Sequence, residues 1–414
     1  MTSVLDGLEA LLPEYESLYV DLHRNPELSF AEHRTAGIAA RALRDAGFEV
    51  TTGVGRTGVV GLLRNGTGPT VLLRADMDAL PVRERTGLDY ASAATATNDE
   101  GDVVPVTHAC GHDMHVTWML GAARLLAAGR SEWSGTLQVV LQPGEEAGGG
   151  AEGMIEDGLF ERFGCPDIAF GQHVGPMSAG EVFTRPGLVM AATDAFRVRM
   201  FGRGGHGSRP EATTDPVVLA SSTVLRLQTI VSREVAPTES AVVTVGSLQA
   251  GTTHNVIPSE AELTVNIRSF DPEVRERVVA ATHRIVHAEA QAAGAPKPPE
   301  ITPITSFPSN VNDESATERV SERFRAHFGP DRVRSGPLVA GSEDFGTFGT
   351  AAEAPAVFWF VGGMDPERVA AARAADTVDR DIPSNHSPLF APVLYPTLRT
   401  GVETLVTAAL GELW

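Results

Sequence analysis

The segment His108-Ala109-Cys110-Gly111-His112-Asp113 sets a thiol and an imidazole two residues apart, between a second histidine and a carboxylate. Thiolate, imidazole and carboxylate are the ligands of zinc or a related divalent ion. Groups of the same kind recur at Asp76 and Asp78, at the adjacent Glu145 and Glu146, at His173, and at His386 in the turn-prone Asn385-His386-Ser387-Pro388. Singly, each has an ordinary explanation: lone histidines are commonly structural, and paired glutamates commonly line a solvated face. Glu145 and Glu146, however, follow Gln142-Pro143-Gly144 and precede a run of glycines, with no helical pattern to carry such a face. Cys110-Gly111-His112 is not finger spacing and no second pair follows, which argues against a structural zinc site. Five ligands (Cys110, His112, Glu146, His173, His386) are too many for one tetrahedral catalytic ion and suit two ions sharing a bridge. A carboxylate beside a ligand carboxylate can take the proton from water activated by the metal.

Groups so far apart in sequence meet only if the fold collects them. Apolar runs predict strands at Val59–Leu63, Val71–Leu73, Thr136–Leu141, Ile168–Phe170 and Val357–Val361, with a helix over Met114–Ala128. The metal-type groups fall just beyond these strands, where open α/β sheets gather function. Nearer the start, Ser29-Phe30-Ala31-Glu32 has capping-box spacing ahead of an apolar stripe, Ala36, Ala39, Ala40 and Leu43. After Gly187 the pattern becomes strand, helix, strand, strand, helix: Ala195–Met200, Pro216–Val231, Ala241–Val245, Ala261–Ile267 and Pro272–Ala292, closed by the Pro-rich Ala295–Pro299. The expected fold is α/β: a largely parallel sheet with helices on both faces, built from residues 1–187 and 303–414 and interrupted by a smaller α+β domain, 188–302. The glycines of Gly53-Val54-Gly55-Arg56-Thr57-Gly58 mimic a dinucleotide fingerprint, but the following residues read as strand rather than helix, so a turn between strands is expected.

Composition bounds the partners. The chain has 414 residues, 33 basic and 53 acidic, for a formal charge of −20. That balance argues against nucleic acid, which needs a basic face. No run approaches the roughly 18 to 20 apolar residues of a membrane span, and the acidic first twenty residues carry no targeting signal. Two cysteines exclude a disulfide scaffold and suit a reducing compartment, so a cytoplasmic location is expected. Cys165 reads as a small buried residue.

Arg74-Ala75-Asp76-Met77-Asp78-Ala79-Leu80-Pro81, His108–Asp113, Gln142–Glu146, Asn255-Val256-Ile257-Pro258, Ser342-Glu343-Asp344-Phe345 and His386-Ser387-Pro388 follow in order, after Leu22-His23-Arg24-Asn25-Pro26-Glu27-Leu28-Ser29. Together they resemble the amidohydrolase branch of the aminoacylase and carboxypeptidase family of dinuclear metallohydrolases, a branch that includes hippurate hydrolases, auxin-conjugate hydrolases and N-acetyl-diaminopimelate deacetylases. The resemblance implies two divalent ions (zinc foremost, with manganese, nickel or cobalt as alternatives) held by Cys110, His112, Glu146, His173 and His386. It implies Glu145 as general base and Asp78 and Asp113 behind the ligands, orienting imidazoles. Asp76 stands where the wider family has a histidine and is not expected to be a ligand. The inserted domain corresponds to a lid and homodimerisation domain. His206 would stabilise an oxyanion in the partner's active site, and Asn255 and Arg268 would contact substrate, Arg268 through its carboxylate. The implied reaction is hydrolysis of a small N-acyl or N-aroyl amino acid; the alternatives are a dipeptidase or carboxypeptidase, or a non-catalytic member that only binds ligand.

Overall fold

The computed structural model describes residues 3–413. The main elements begin with helices α1 (Leu8–Arg24) and α2 (His33–Asp45), then strands β1 (Glu49–Val54), β2 (Gly58–Asn65) and β3 (Thr70–Asp76). Helix α3 (His112–Ala128) leads into β4 (Gly135–Gln142), and α4 (Gly150–Glu156) precedes β5 (Ile168–Ser178) and β6 (Val182–Thr184). Next come β7 (Ala192–Phe201), β8 (Gly205–His206), α5 (Pro216–Arg233), β9 (Ala241–Ala250), β10 (Val256–Ile257), β11 (Glu260–Ser269), α6 (Pro272–Ala292) and β12 (Glu300–Phe307). The chain finishes with α7 (Glu314–Phe328), β13 (Val333–Ser335), α8 (Gly346–Ala352), β14 (Ala356–Met364) and α9 (Thr397–Glu412). Among the described residues no helix is long and apolar enough to cross a membrane.

Two compact units result. One comprises Met1–Val189, Val311–Leu338 and Asp344–Trp414; the other comprises Met190–Asn310 and Val339–Glu343. The first holds an eight-stranded sheet in the order β1-β2-β4-β3-β5-β14-β6-β13. Its central strands β4, β3, β5 and β14 run parallel, whereas β1, β2 and β6 join antiparallel. The parallel centre has a physical cause: Val71–Asp76, Leu137–Gln142 and all of β14 are buried residue after residue, so helices must cover both faces. Helices α1, α2, α3, α7 and α9 pack in one connected set around the apolar core, and α4 packs with α8.

The second unit is a four-stranded antiparallel sheet, β9-β11-β7-β12, packed against α5 and α6 over its own apolar cluster. Strict alternation of burial along β11 shows that only one face is covered. Both helices start with Asp-Pro: Asp215 accepts the Val217 and Val218 N–H groups, Asp271 those of Glu273 and Val274, and the proline supplies a ready helical φ. The sequence reading lacked β12. Its residues are mostly exposed because it is an edge strand, so no apolar signal announces it.

Two local expectations are corrected. Ser29 and Glu32 form no capping box: Ser29 Oγ donates to Asp78, and Glu32 occupies the N-cap position with its carboxylate turned away from the helix. Cys165 is exposed rather than buried, in the turn before β5. The decoy glycines do form the β1–β2 turn.

Candidate metal centre

The carboxyl ends of β3 and β4 and the body of β5 carry Asp78, Glu145 with Glu146, and His173. The remaining donors come from the entry to α3 and from the turn at His386. Gly111 makes the α3 entry possible. Its φ is +86°, and a Cβ there would lie 2.4 Å from Val174, so only glycine lets Cys110 and His112 face the same point. His386 also has a positive φ, 70°, held by its N–H to Ala109 O at 2.8 Å. The amide of Asn385 donates to the carbonyls of Cys110 and Val174, both at 3.1 Å, which ties this turn to two donor-bearing segments.

The five expected ligands converge. Cys110 Sγ lies 3.4 Å from His173 Nε2, His386 Nε2 lies 3.2 Å from Glu146 Oε1, and His112 Nε2 lies 3.8 Å from the same oxygen. Cys110, Glu146 and His386 bring donor atoms within 4.8 Å of one another, as do His112, Glu145 and Glu146. His112 Nδ1 is 3.2 Å from Asp78 Oδ1, so that nitrogen donates and Nε2 is the one left to face an ion. His173 is fixed the same way, its Nδ1 donating to Val174 O at 2.7 Å.

Two observations show that this donor set fits a divalent ion. Among the described residues His112 Nε2 and Glu146 Oε1 are buried and make no hydrogen bond, the His386 imidazole meeting Glu146 only as an ion-pair contact, an arrangement that costs free energy unless something positive lies between them. The charges say the same. Burial, and then Glu146, Glu145 and Asp76, push the Cys110 thiol well above its ordinary range, so a thiolate there needs a cation. Burial would depress His112, yet Asp76 and then Asp78 outweigh it and raise the ring to about 10.

A second cluster, Asp76, His112, His115 and His173, has donor atoms equally close, but its chemistry differs. His115 Nε2 accepts the Val174 N–H at 2.8 Å, so Nδ1 donates to Asp76 Oδ1 at 2.5 Å and both nitrogens are committed. The other Asp76 oxygen takes Arg74 at 2.9 Å. Asp76 and His115 thus brace the strands, and His115 has no ring nitrogen left for an ion. Arg74 itself is 1% exposed and also reaches Gln142 and Asp344. Asp113 orients an imidazole, but that of His23, at 2.6 Å, rather than a candidate ligand. The sequence motifs include His23 and Arg74 but give neither a role, and they leave out His115; the three-residue spacing of His112 and His115 on one helix was the available signal.

In the second unit, His206 and Asn255 lie together: β8 pairs with β10, and Gly207 N donates to Asn255 O at 2.9 Å. His206 is exposed, its Nδ1 accepting from Ser208. Arg268 is half-buried and donates to Ala340 O at 2.6 Å; among the described residues no carboxylate pairs with it.

Residues 72–383 match the model of peptidase family M20/M25/M40. The chain is 40% identical over 339 residues to a hippurate hydrolase of Campylobacter jejuni, covering 81% of this chain and 85% of that protein. It is 38% identical over 352 residues to thermostable carboxypeptidase 2 of Saccharolobus solfataricus, covering 84% and 85%. Among solved structures, one from methicillin-resistant Staphylococcus aureus superposes with a TM-score of 0.84 at 31% identity, over 99% of each chain. A Bacillus subtilis protein, described as a dinuclear metal-binding peptidase of the M20 family, gives 0.74 at 28% identity over 97% of this chain and 98% of that one.

Proposed function

The chain belongs to peptidase family M20/M25/M40, and from that premise we propose that it hydrolyses the amide of small N-acyl or N-aroyl amino acids. The observation that carries the reading is the gathering of Cys110, His112, Glu146, His173 and His386 beside the buried carboxylate of Glu145. In this reading those five residues hold two divalent ions, zinc foremost, with manganese, nickel or cobalt as alternatives. Such ions supply Lewis acidity to a water and to the scissile carbonyl. Glu145 takes the proton of the attacking water and delivers it to the leaving amine. Arg268, which pairs with no carboxylate among the described residues, receives the substrate carboxylate, and Asn255 helps to hold the substrate.

His206 then serves the oxyanion in a second copy of the chain. A homodimer through the second unit is supported by apolar side chains exposed there: Val218 and Leu225 on α5, and Val242 and Leu248 on the edge strand β9. A reducing cytoplasm suits the thiol ligand.

Turnover of hippurate, N-acetyl amino acids and dipeptides, after reconstitution with each metal, tests the proposal. Faster cleavage of the N-acyl amino acids is expected. Cleavage of dipeptides alone would move the assignment to the peptidase reading, which the carboxypeptidase relative favours. No turnover with any metal would leave a binding protein.

A further inference from the structure

We propose that Glu32 is a positioning residue for the loop that carries Glu145, a role that rests on reading Glu145 as the base. The Glu32 carboxylate is 0% exposed and both its oxygens are engaged. Oε1 accepts the N–H of Gly144 and that of Phe30, each at 2.8 Å, and Oε2 accepts the Thr57 hydroxyl. The residue therefore spans the 112 positions between the start of α2 and the Gly144–Gly148 turn. Asp78 does the same two residues on: its Oδ2 accepts Glu146 N at 2.9 Å and Ser29 Oγ at 2.6 Å. The N–H groups on either side of Glu145 are thus each gripped by a buried carboxylate, and both carboxylates connect to the segment Ser29–Glu32.

Phe30 completes the clamp. Its backbone is left-handed, φ 61°, and its ring lies so close to Gly144 that a Cβ there would sit 2.3 Å from Cζ. Gly144 itself has φ 60°, so the loop can pass under the ring only with glycine at that point. A strained residue and a buried carboxylate both cost stability, and they persist here because three donors satisfy the carboxylate and the loop is held in one conformation. The consequence is pre-organisation: Glu145 enters each turnover with its backbone already placed.

Glu32→Ala, Glu32→Asp and Glu32→Gln test this in the metal-loaded protein. Gln keeps an acceptor for the two N–H groups and can donate to Thr57, whereas Asp is one methylene too short and Ala lacks the acceptor. With an N-acyl amino acid as substrate, Ala and Asp are expected to lower kcat about 100-fold with KM within about twofold. Metal content stays at the wild-type level, and Gln restores the rate. Hydrogen exchange of peptides covering residues 143–149 is expected to accelerate in Ala and Asp but not in Gln, a readout independent of activity. Wild-type kcat and wild-type exchange in Asp, or in a folded Ala variant, overturn the proposal. Faster exchange without any turnover in the wild-type protein keeps the clamp and removes the catalytic reading instead.

Discussion

His112 and Asp78 meet at 3.2 Å through Nδ1 and Oδ1, and this contact decides which pole of the imidazole faces Glu146. Because Nδ1 donates to a carboxylate, Nε2 is the nitrogen turned toward Glu146, and the ring is both oriented and made more basic. The other oxygen of Asp78 holds the Glu146 N–H, so one carboxylate sets two of the expected ligands.

Replacing Asp78 by Ala should therefore weaken divalent-ion binding about 10- to 100-fold, the usual cost of losing such a partner. Competition against a chromogenic chelator measures it. An affinity equal to that of the parent protein would mean that His112 needs no orienting group.

Glu145→Gln removes the proton acceptor and keeps the shape. Turnover of an N-acyl amino acid should fall at least about 100-fold to 10,000-fold, the range for a general base, while elemental analysis finds the metal content unchanged. Undiminished turnover would exclude Glu145 as the base.

Cys110→Ala should lower the metal bound per chain. The thiol is buried among carboxylates that raise its pKa, so ionisation there is favourable only with a cation alongside. Elemental analysis after dialysis is the measurement, and full occupancy in the variant would take Cys110 out of the site.

His23 links Asp113 to Glu84, which also accepts Ser92 N and the hydroxyls of Thr86 and Thr107. Burial by itself depresses His23, but the hydrogen bonds it donates to Asp113 and then to Glu84, with the charges of both, outweigh it and raise the ring from 6.5 to about 9. Burial raises Glu84, but its bonds to His23, Thr86 and Ser92 N together with the charge of His23 outweigh this, lowering it from 4.5 to about 2. The histidine's contribution is complete below its unfolded value of 6.5 and fades as pH climbs through about 9. The glutamate's is complete above 4.5 and fades as pH falls through about 2. Thermal stability should thus decline from neutral pH toward 10, and His23→Gln should flatten that decline while lowering stability near neutrality. An equally steep alkaline decline in the variant would show that His23 is not its source.

Much of this architecture is legible locally. Apolar runs locate β3, β4 and β14, because a strand buried on both faces needs every residue apolar or neutralised. Asp-Pro announces α5 and α6, because capping and a fixed φ act within one turn. The exposed edge strand β12 was invisible for the converse reason: it is held by hydrogen bonds to β7, and its residue types record little of that.

The donor types of the candidate site, their order and the glycines beside them are properties of the sequence alone, since a thiol, an imidazole or a glycine's freedom to adopt positive φ belongs to its residue. Partnership is not such a property. Ser29 and Glu32 have the spacing of a capping box, yet in the folded chain they grip Asp78 and the Gly144 loop. His115 carries the same ring as His112 and spends both nitrogens on Asp76 and the Val174 N–H. Those choices are made between residues tens of positions apart, by the requirement that each buried polar group find a partner. Only the tertiary structure brings the competing partners within reach.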